Sequence, residues 1–122
     1  MKPEPEFDRL AVYDALAGIV AFVRQVEDRF PEDEIPLLYD RMRIAALEAG
    51  AQLAAGFARD GLDGAGMLSG TTQREVAGKL SELRHYILTA ASGFILDQQQ
   101  VATFETLYGQ AKDALMAPVD LR

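Results

Sequence analysis

Apolar residues recur at spacings of three and four through most of this chain, and the densest run, Ile35 to Arg59, is apolar on two sides. At 100° per residue, Ile35, Leu38, Met42, Ala46, Ala49, Leu53 and Phe57 fall on one side of a helix. Leu37, Ile44, Leu47, Ala51, Ala54 and Ala58 fall roughly opposite. A narrow polar strip of Arg41, Glu48, Gln52 and Arg59 separates them, so this helix needs cover from two directions.

The same periodicity predicts three more helices. A first helix over about residues 9 to 29, with Asp8 as N-cap, carries Leu10, Tyr13, Leu16, Ala17, Val20 and Val23 on one side. Val12, Ala15, Ile19, Phe22, Val26 and Phe30 form its second side, and Phe30-Pro31 ends it, because the residue before proline is pushed out of the α region. Glu32, Asp33 and Glu34 then place negative charge where the next helix begins. Residues 60–70 hold four glycines in eleven positions and read as a flexible connection. Thr72 with Glu75 reads as a capping box for a third helix to about Gly93, with a stripe of Val76, Leu80, Leu83, Ile87, Ala90 and Phe94. Asp97 with Gln100 repeats that arrangement for a fourth helix to about Ala117, whose apolar side is Val101, Phe104, Leu107, Tyr108, Ala111 and Leu115.

Four amphipathic helices, short connections and no alternating strand pattern predict an all-α fold, an antiparallel up-down-up-down four-helix bundle over residues 8–118. Residues 1–7 read as a disordered or extended arm that Phe7 anchors, and residues 119–122 as a short tail. One side of each helix suffices for such a core. The surplus on the second helix, Leu37, Ile44, Leu47, Ala51 and Ala54, therefore predicts an interface between copies of the chain.

Composition narrows the functional classes. A chain of 122 residues with 49% hydrophobic and 25% charged residues is sized for one domain with one core. No run approaches the roughly 18 apolar residues of a membrane span, and the start, MKPEPEFD, lacks a basic then apolar leader, so a cytoplasmic protein is expected. Without cysteine there are no disulfides and no thiolate chemistry. A formal charge of −7 repels phosphate backbones unless basic groups cluster locally.

Candidate chemistry is sparse. Glu82-x-x-His85 has the spacing used in di-iron bundles, yet such a site needs a second copy of the motif and further glutamates, and the chain has one histidine. Asp60 and Asp63 lack the acidic ladder of a calcium loop. Ser69, Ser81 and Ser92 have no strand-turn-helix elbow to expose them, and no glycine-rich phosphate loop precedes a Lys-Ser or Lys-Thr pair. Neither an enzyme nor a cofactor is expected. Arg41, Arg43, Arg59 and Arg84 are the candidates for contact with RNA or DNA; the competing reading makes arginines partners in salt bridges, with Glu48 among the acids.

The order of these features resembles a family of small four-helix-bundle proteins encoded in intervening sequences of bacterial 23S ribosomal RNA genes, with the accessory protein of diversity-generating retroelements as a distant relative. Phe7, Leu10, Val12 and Ala15 match its opening signature, and Phe30, Pro31 and Glu34 its first turn. Arg43, Ala45, Ala46, Ala54, Gly56, Phe57 and Arg59 fall in step with its second helix, and Gly78, Glu82 and Leu83 with its third. Gln52, Ala55 and Arg84 replace its most polar positions. The resemblance implies a homo-oligomeric ring, commonly a pentamer, a nucleic-acid or ribonucleoprotein connection, and no established catalytic chemistry.

Overall fold

The computed structural model describes residues 6–119, so the predicted arm, up to Pro5, and the end of the tail, residues 120–122, lie outside the described residues. Among the described residues four α-helices form: α1 Ala11–Gln25, α2 Asp40–Asp60, α3 Gly70–Ser92 and α4 Gln98–Leu115. Each packs against the next in the chain, and α4 returns to α1. The only bridge among the described residues joins Leu62 and Leu68 in the α2–α3 connection.

The core lies where the four apolar stripes meet. Leu10, Met42, Leu53, Leu80, Leu83, Ile87, Phe104 and Leu115 are fully buried within it. Phe22 and Phe104 tilt against each other across α1 and α4 with centroids 5.9 Å apart. Phe30 covers Tyr39 at the entry to α2, with centroids 5.4 Å apart. Burial in that corner, reinforced by the Glu27 carboxylate, pushes the Tyr39 hydroxyl above its ordinary pKa.

Several boundaries differ from the sequence expectation, each for a local reason. Asp8 caps nothing: it sits in a tight turn, Phe7–Arg9, whose own bonds from the Arg9 and Leu10 amides carry the chain to a start at Ala11. The first helix also ends earlier, at Gln25, and a second tight turn, Glu27–Arg29, completes the span to Phe30. Phe7 packs edge-on against Tyr13, with ring centroids 5.6 Å apart.

The start of α2 is a wide π-helical turn, Ile35–Tyr39, with Pro36 in its opening positions, where no amide is needed. From Asp40 the helix is regular, and Met42, Ala45, Ala46, Ala49, Leu53 and Gly56 are buried.

The third helix starts two residues before Thr72. Ser69, not Thr72, is its N-cap, and its hydroxyl accepts the Thr72 amide at 3.1 Å. That register turns Thr72 inward, fully buried against Gly56. A side chain at Gly56 would meet Thr72 Cβ at 2.9 Å, so glycine there is a packing requirement. At the other end α3 stops at Ser92, and Phe94, expected on the core stripe, is 93% exposed. Leu96 fills the core in its place. The fourth helix starts as expected, with both arms of the Asp97 and Gln100 capping box formed.

The glycine-rich connection is tied down, against the expectation of a flexible one. Asp63 accepts the Ala65 and Met67 amides at 2.8 and 3.0 Å, Leu68 is buried, and the Val119 amide reaches the Gly66 carbonyl at 2.8 Å.

Candidate functional site

The outer side of α2 remains uncovered in the single chain. Leu37, Ile44 and Leu47 are 61%, 45% and 43% exposed, with Ala51 exposed and Ala54 half-buried beside them. Their side of the helix is apolar because the alanines and leucines recur there at helical spacing, while the opposite side is consumed by the core.

Leu47, Ala51 and Ala54 also form one wall of an apolar groove of about 510 Å³. Gly50 completes that wall, and Tyr13, Ala17, Val20 and Ala21 of α1 make the other. Phe7 borders the groove near the start of α1 and Arg24 in its last turn. The groove exists because small residues on both helices leave a channel that no side chain of the described residues fills. Among the described residues, nothing lies within 4 Å of where a side chain on Gly50 would begin. Close approach of a neighbouring helix therefore accounts for Gly56 and not for Gly50.

The four candidate arginines do not gather. Arg43 and Arg59 are sixteen residues apart on one helix, or about 24 Å at 1.5 Å per residue. Arg43 lies 3.7 Å from Asp40. Arg59 grips Asp60 with bonds of 3.0 and 2.8 Å and lies 3.9 Å from Glu75. Arg84 pairs with Glu105 at 2.9 Å and sits over the Tyr108 ring, which Lys112 also approaches. Arg41 is exposed and forms no ion pair among the described residues. Glu48 has a lysine partner instead of an arginine: Lys79 reaches it at 3.1 Å, and that contact raises the Lys79 pKa.

The α2–α3 corner holds the most organised polar group. The Asp60 carboxylate accepts from Arg59 and from the Ser69 hydroxyl at 2.7 Å, and Ser69 in turn meets the Thr72 hydroxyl at 2.9 Å. The Arg59 guanidinium, followed by Ser69, holds the Asp60 pKa down at about 2. This is a clasp between two helices, since each polar atom is committed to another within the chain. Asp63 serves its own loop, so the two aspartates do not converge. Glu82 faces Lys79 at 3.6 Å and the Tyr86 hydroxyl at 3.5 Å, and the exposed His85 neighbours the Tyr86 ring. No group of three or more histidine or acidic side chains among the described residues is placed to hold a metal. No helix among them is long and apolar enough to cross a membrane.

Three participants escaped sequence reasoning. Spacing makes Thr72 a helix cap and puts Tyr108 and Phe94 on apolar stripes, whereas Thr72 is buried against Gly56, Tyr108 receives Arg84 and Lys112, and Phe94 is exposed. Gly93 before Phe94 was the available signal, because glycine commonly marks the end of a helix.

No protein-family model matches the chain. Neither the curated proteins nor the solved structures yield a match.

Proposed function

We propose that this chain is a non-enzymatic interaction or scaffold module that assembles with copies of itself through the outer side of α2 and the α1–α2 groove. The observation that carries the reading is the exposure of Leu37, Ile44 and Leu47 on a helix whose opposite side is already committed to the core. A continuous apolar stripe beside an apolar groove is the usual mark of an interface.

The bundle would be antiparallel, up-down-up-down. Pairs across neighbouring helices support that arrangement, because numbers rise on one helix as they fall on the next. Gly56 meets Thr72 while Glu48 meets Lys79. Gln73 reaches the Leu115 carbonyl while Arg84 meets Glu105. Gly18 faces Leu107 while Phe22 faces Phe104. The resemblance to the proteins of 23S ribosomal RNA intervening sequences adds the proposal of a closed ring, commonly of five copies, acting in the cytoplasm.

Light scattering tests the assembly. The chain should scatter as several subunits, and Leu47→Glu should scatter as one while keeping its helical circular dichroism. A monomer at micromolar concentration removes the reading.

Arg41 favours a second reading, contact with RNA or DNA, since it alone of the four arginines has no acidic partner among the described residues. Binding that weakens with salt and is lost in Arg41→Glu would promote that reading over the first.

A further inference from the structure

Phe94 joins two independent oddities. Its φ of 62° is the only positive value at a non-glycine residue among those described, and its side chain is 93% exposed. The geometry is the ordinary end of a helix: the Ile95 amide returns to the Ala90 carbonyl at 2.9 Å and the Phe94 amide to Ala91 at 3.0 Å. Glycine normally fills this left-handed position, because a Cβ crowds the backbone there. A glycine stands one residue too early, at Gly93 with φ −86°, and a phenylalanine takes the strained place. In the isolated chain that choice costs backbone strain and leaves an aromatic ring in water. Strain of this kind persists where the residue has work elsewhere.

The same chain carries a concavity suited to such a ring. The α1–α2 groove is apolar, about 510 Å³ in volume, and walled by Ala17, Ala21, Gly50 and Ala51, which leave depth where larger side chains would fill it. Charge is complementary as well. Arg24 borders the groove and makes no ion pair among the described residues. Asp97, exposed, borders the apolar surface around Phe94 and has one carboxylate oxygen to spare beyond the one that accepts the Gln100 amide.

We infer that Phe94 of one copy inserts into the α1–α2 groove of the next, with Asp97 beside Arg24. This rests on the self-assembly proposed above and names the contact that drives it. Knob and groove are different surfaces of one chain, so the contact is head-to-tail: every copy donates one ring and receives one. Such contacts close into a ring when the rotation between copies permits, or else extend as a filament. An anionic membrane is a poorer occupant for Phe94, since the residues lining its surroundings include Asp97 and no lysine or arginine.

Phe94→Gly separates this contact from a structural role. Glycine relieves the strained backbone, so the urea midpoint measured at high dilution should rise, while assembly followed by sedimentation should weaken on the order of tenfold or more. Because the chain has no cysteine, engineered thiols report proximity cleanly. Ser92→Cys mixed with Ala21→Cys should be joined between chains by a short bismaleimide, and adding Phe94→Gly to the Ser92→Cys partner should abolish the product. Neither variant alone should cross-link as efficiently as the mixture.

If the unmodified chain assembles, Phe94→Gly assembles equally well and the mixed pair does not cross-link, the inference fails and self-assembly survives. Efficient cross-linking of Ser92→Cys alone points to an end-to-end contact between Phe94 sites and also overturns it. A monomeric unmodified chain removes both. Binding of Phe94 to vesicles of phosphatidylserine in place of a second copy, read by co-sedimentation, would sink the inference in favour of a membrane.

Discussion

Gly56→Ala is the sharpest test of how α2 and α3 are held together. Alanine in mid-helix gains about 1 kcal/mol over glycine. Here the new methyl would lie 2.6 Å from Thr72 Cγ2 and 2.9 Å from its Cβ. Thr72 is fully buried, β-branched and bonded to Ser69, so it has no free rotamer into which it can withdraw. Overpacking of this kind costs roughly 1–3 kcal/mol. Displacing the Thr72 hydroxyl sacrifices its bonds to Ser69 and Arg59, at about 1 kcal/mol apiece. The net expectation is a destabilisation of about 2–4 kcal/mol, or roughly 8–16 °C in Tm for a chain of this size. Gly78→Ala is the internal reference: Gly78 is exposed on α3 with no described residue within 4 Å of its Cβ position, so that change should stabilise by about 1 kcal/mol. Urea denaturation followed by circular dichroism, at one fixed protein concentration because assembly shifts apparent stability, reads both. Thr72→Ala, which deletes both Oγ1 and Cγ2, the two atoms nearest the new methyl, should recover part of the loss in the Gly56→Ala background. Equal stabilisation by Gly56→Ala and Gly78→Ala would refute the packing argument.

Other expectations follow from the same geometry. Gly50→Ala meets no atom of the described residues within 4 Å and should gain about 1 kcal/mol at high dilution, yet narrow the groove and weaken assembly in a sedimentation series. Asp60 is held at about 2, below its ordinary 3.8, so its contribution to stability is complete above about pH 4 and is lost as pH falls from there toward 2. Asp60→Asn should flatten that part of the curve of urea midpoint against pH. Asp97→Ala removes the capping box of α4 and should cost about 1 kcal/mol, measured by the same unfolding assay.

The sequence made the helices legible because the core of a bundle is written in a repeat of three and four. Leu80, Leu83 and Ile87 could be placed from spacing alone, and so could the division of α2 into a buried and an exposed side. The Asp97 and Gln100 cap was equally readable, since its two side chains act within one turn. What spacing could not reveal was any choice settled by contact across helices. Thr72 and Ser69 are both acceptable caps locally; the space above Gly56 and the carboxylate of Asp60 decide between them. Phe94 shows the other limit: its spacing fits the stripe of α3, but that helix turns out of register two residues earlier. The arginines illustrate the same point for charge, because their acidic partners Glu75 and Glu105 come from positions that only the fold brings near.

For the self-assembly proposed above, the stripe on α2 is too small to act alone. Completely burying a leucine or isoleucine contributes about 1.5–3 kcal/mol, and Leu37, Ile44 and Leu47 retain 43–61% of their exposure, so covering all three yields roughly 2–4 kcal/mol for each copy, and about twice that where two stripes face each other. Losing the free motion of a subunit costs an estimated 4–15 kcal/mol. A pair of chains held only by that stripe is therefore marginal at best. Seating Phe94, almost wholly exposed beforehand, adds about 1.5–3 kcal/mol per contact and covers the apolar walls of the groove. In a closed ring every copy is gripped on two sides, so the last contact forms within an already tethered particle and avoids most of the entropic cost. On this accounting a ring is favoured over an isolated dimer, and assembly should be cooperative: sedimentation across a dilution series should pass from complete rings to monomers with little dimer between them.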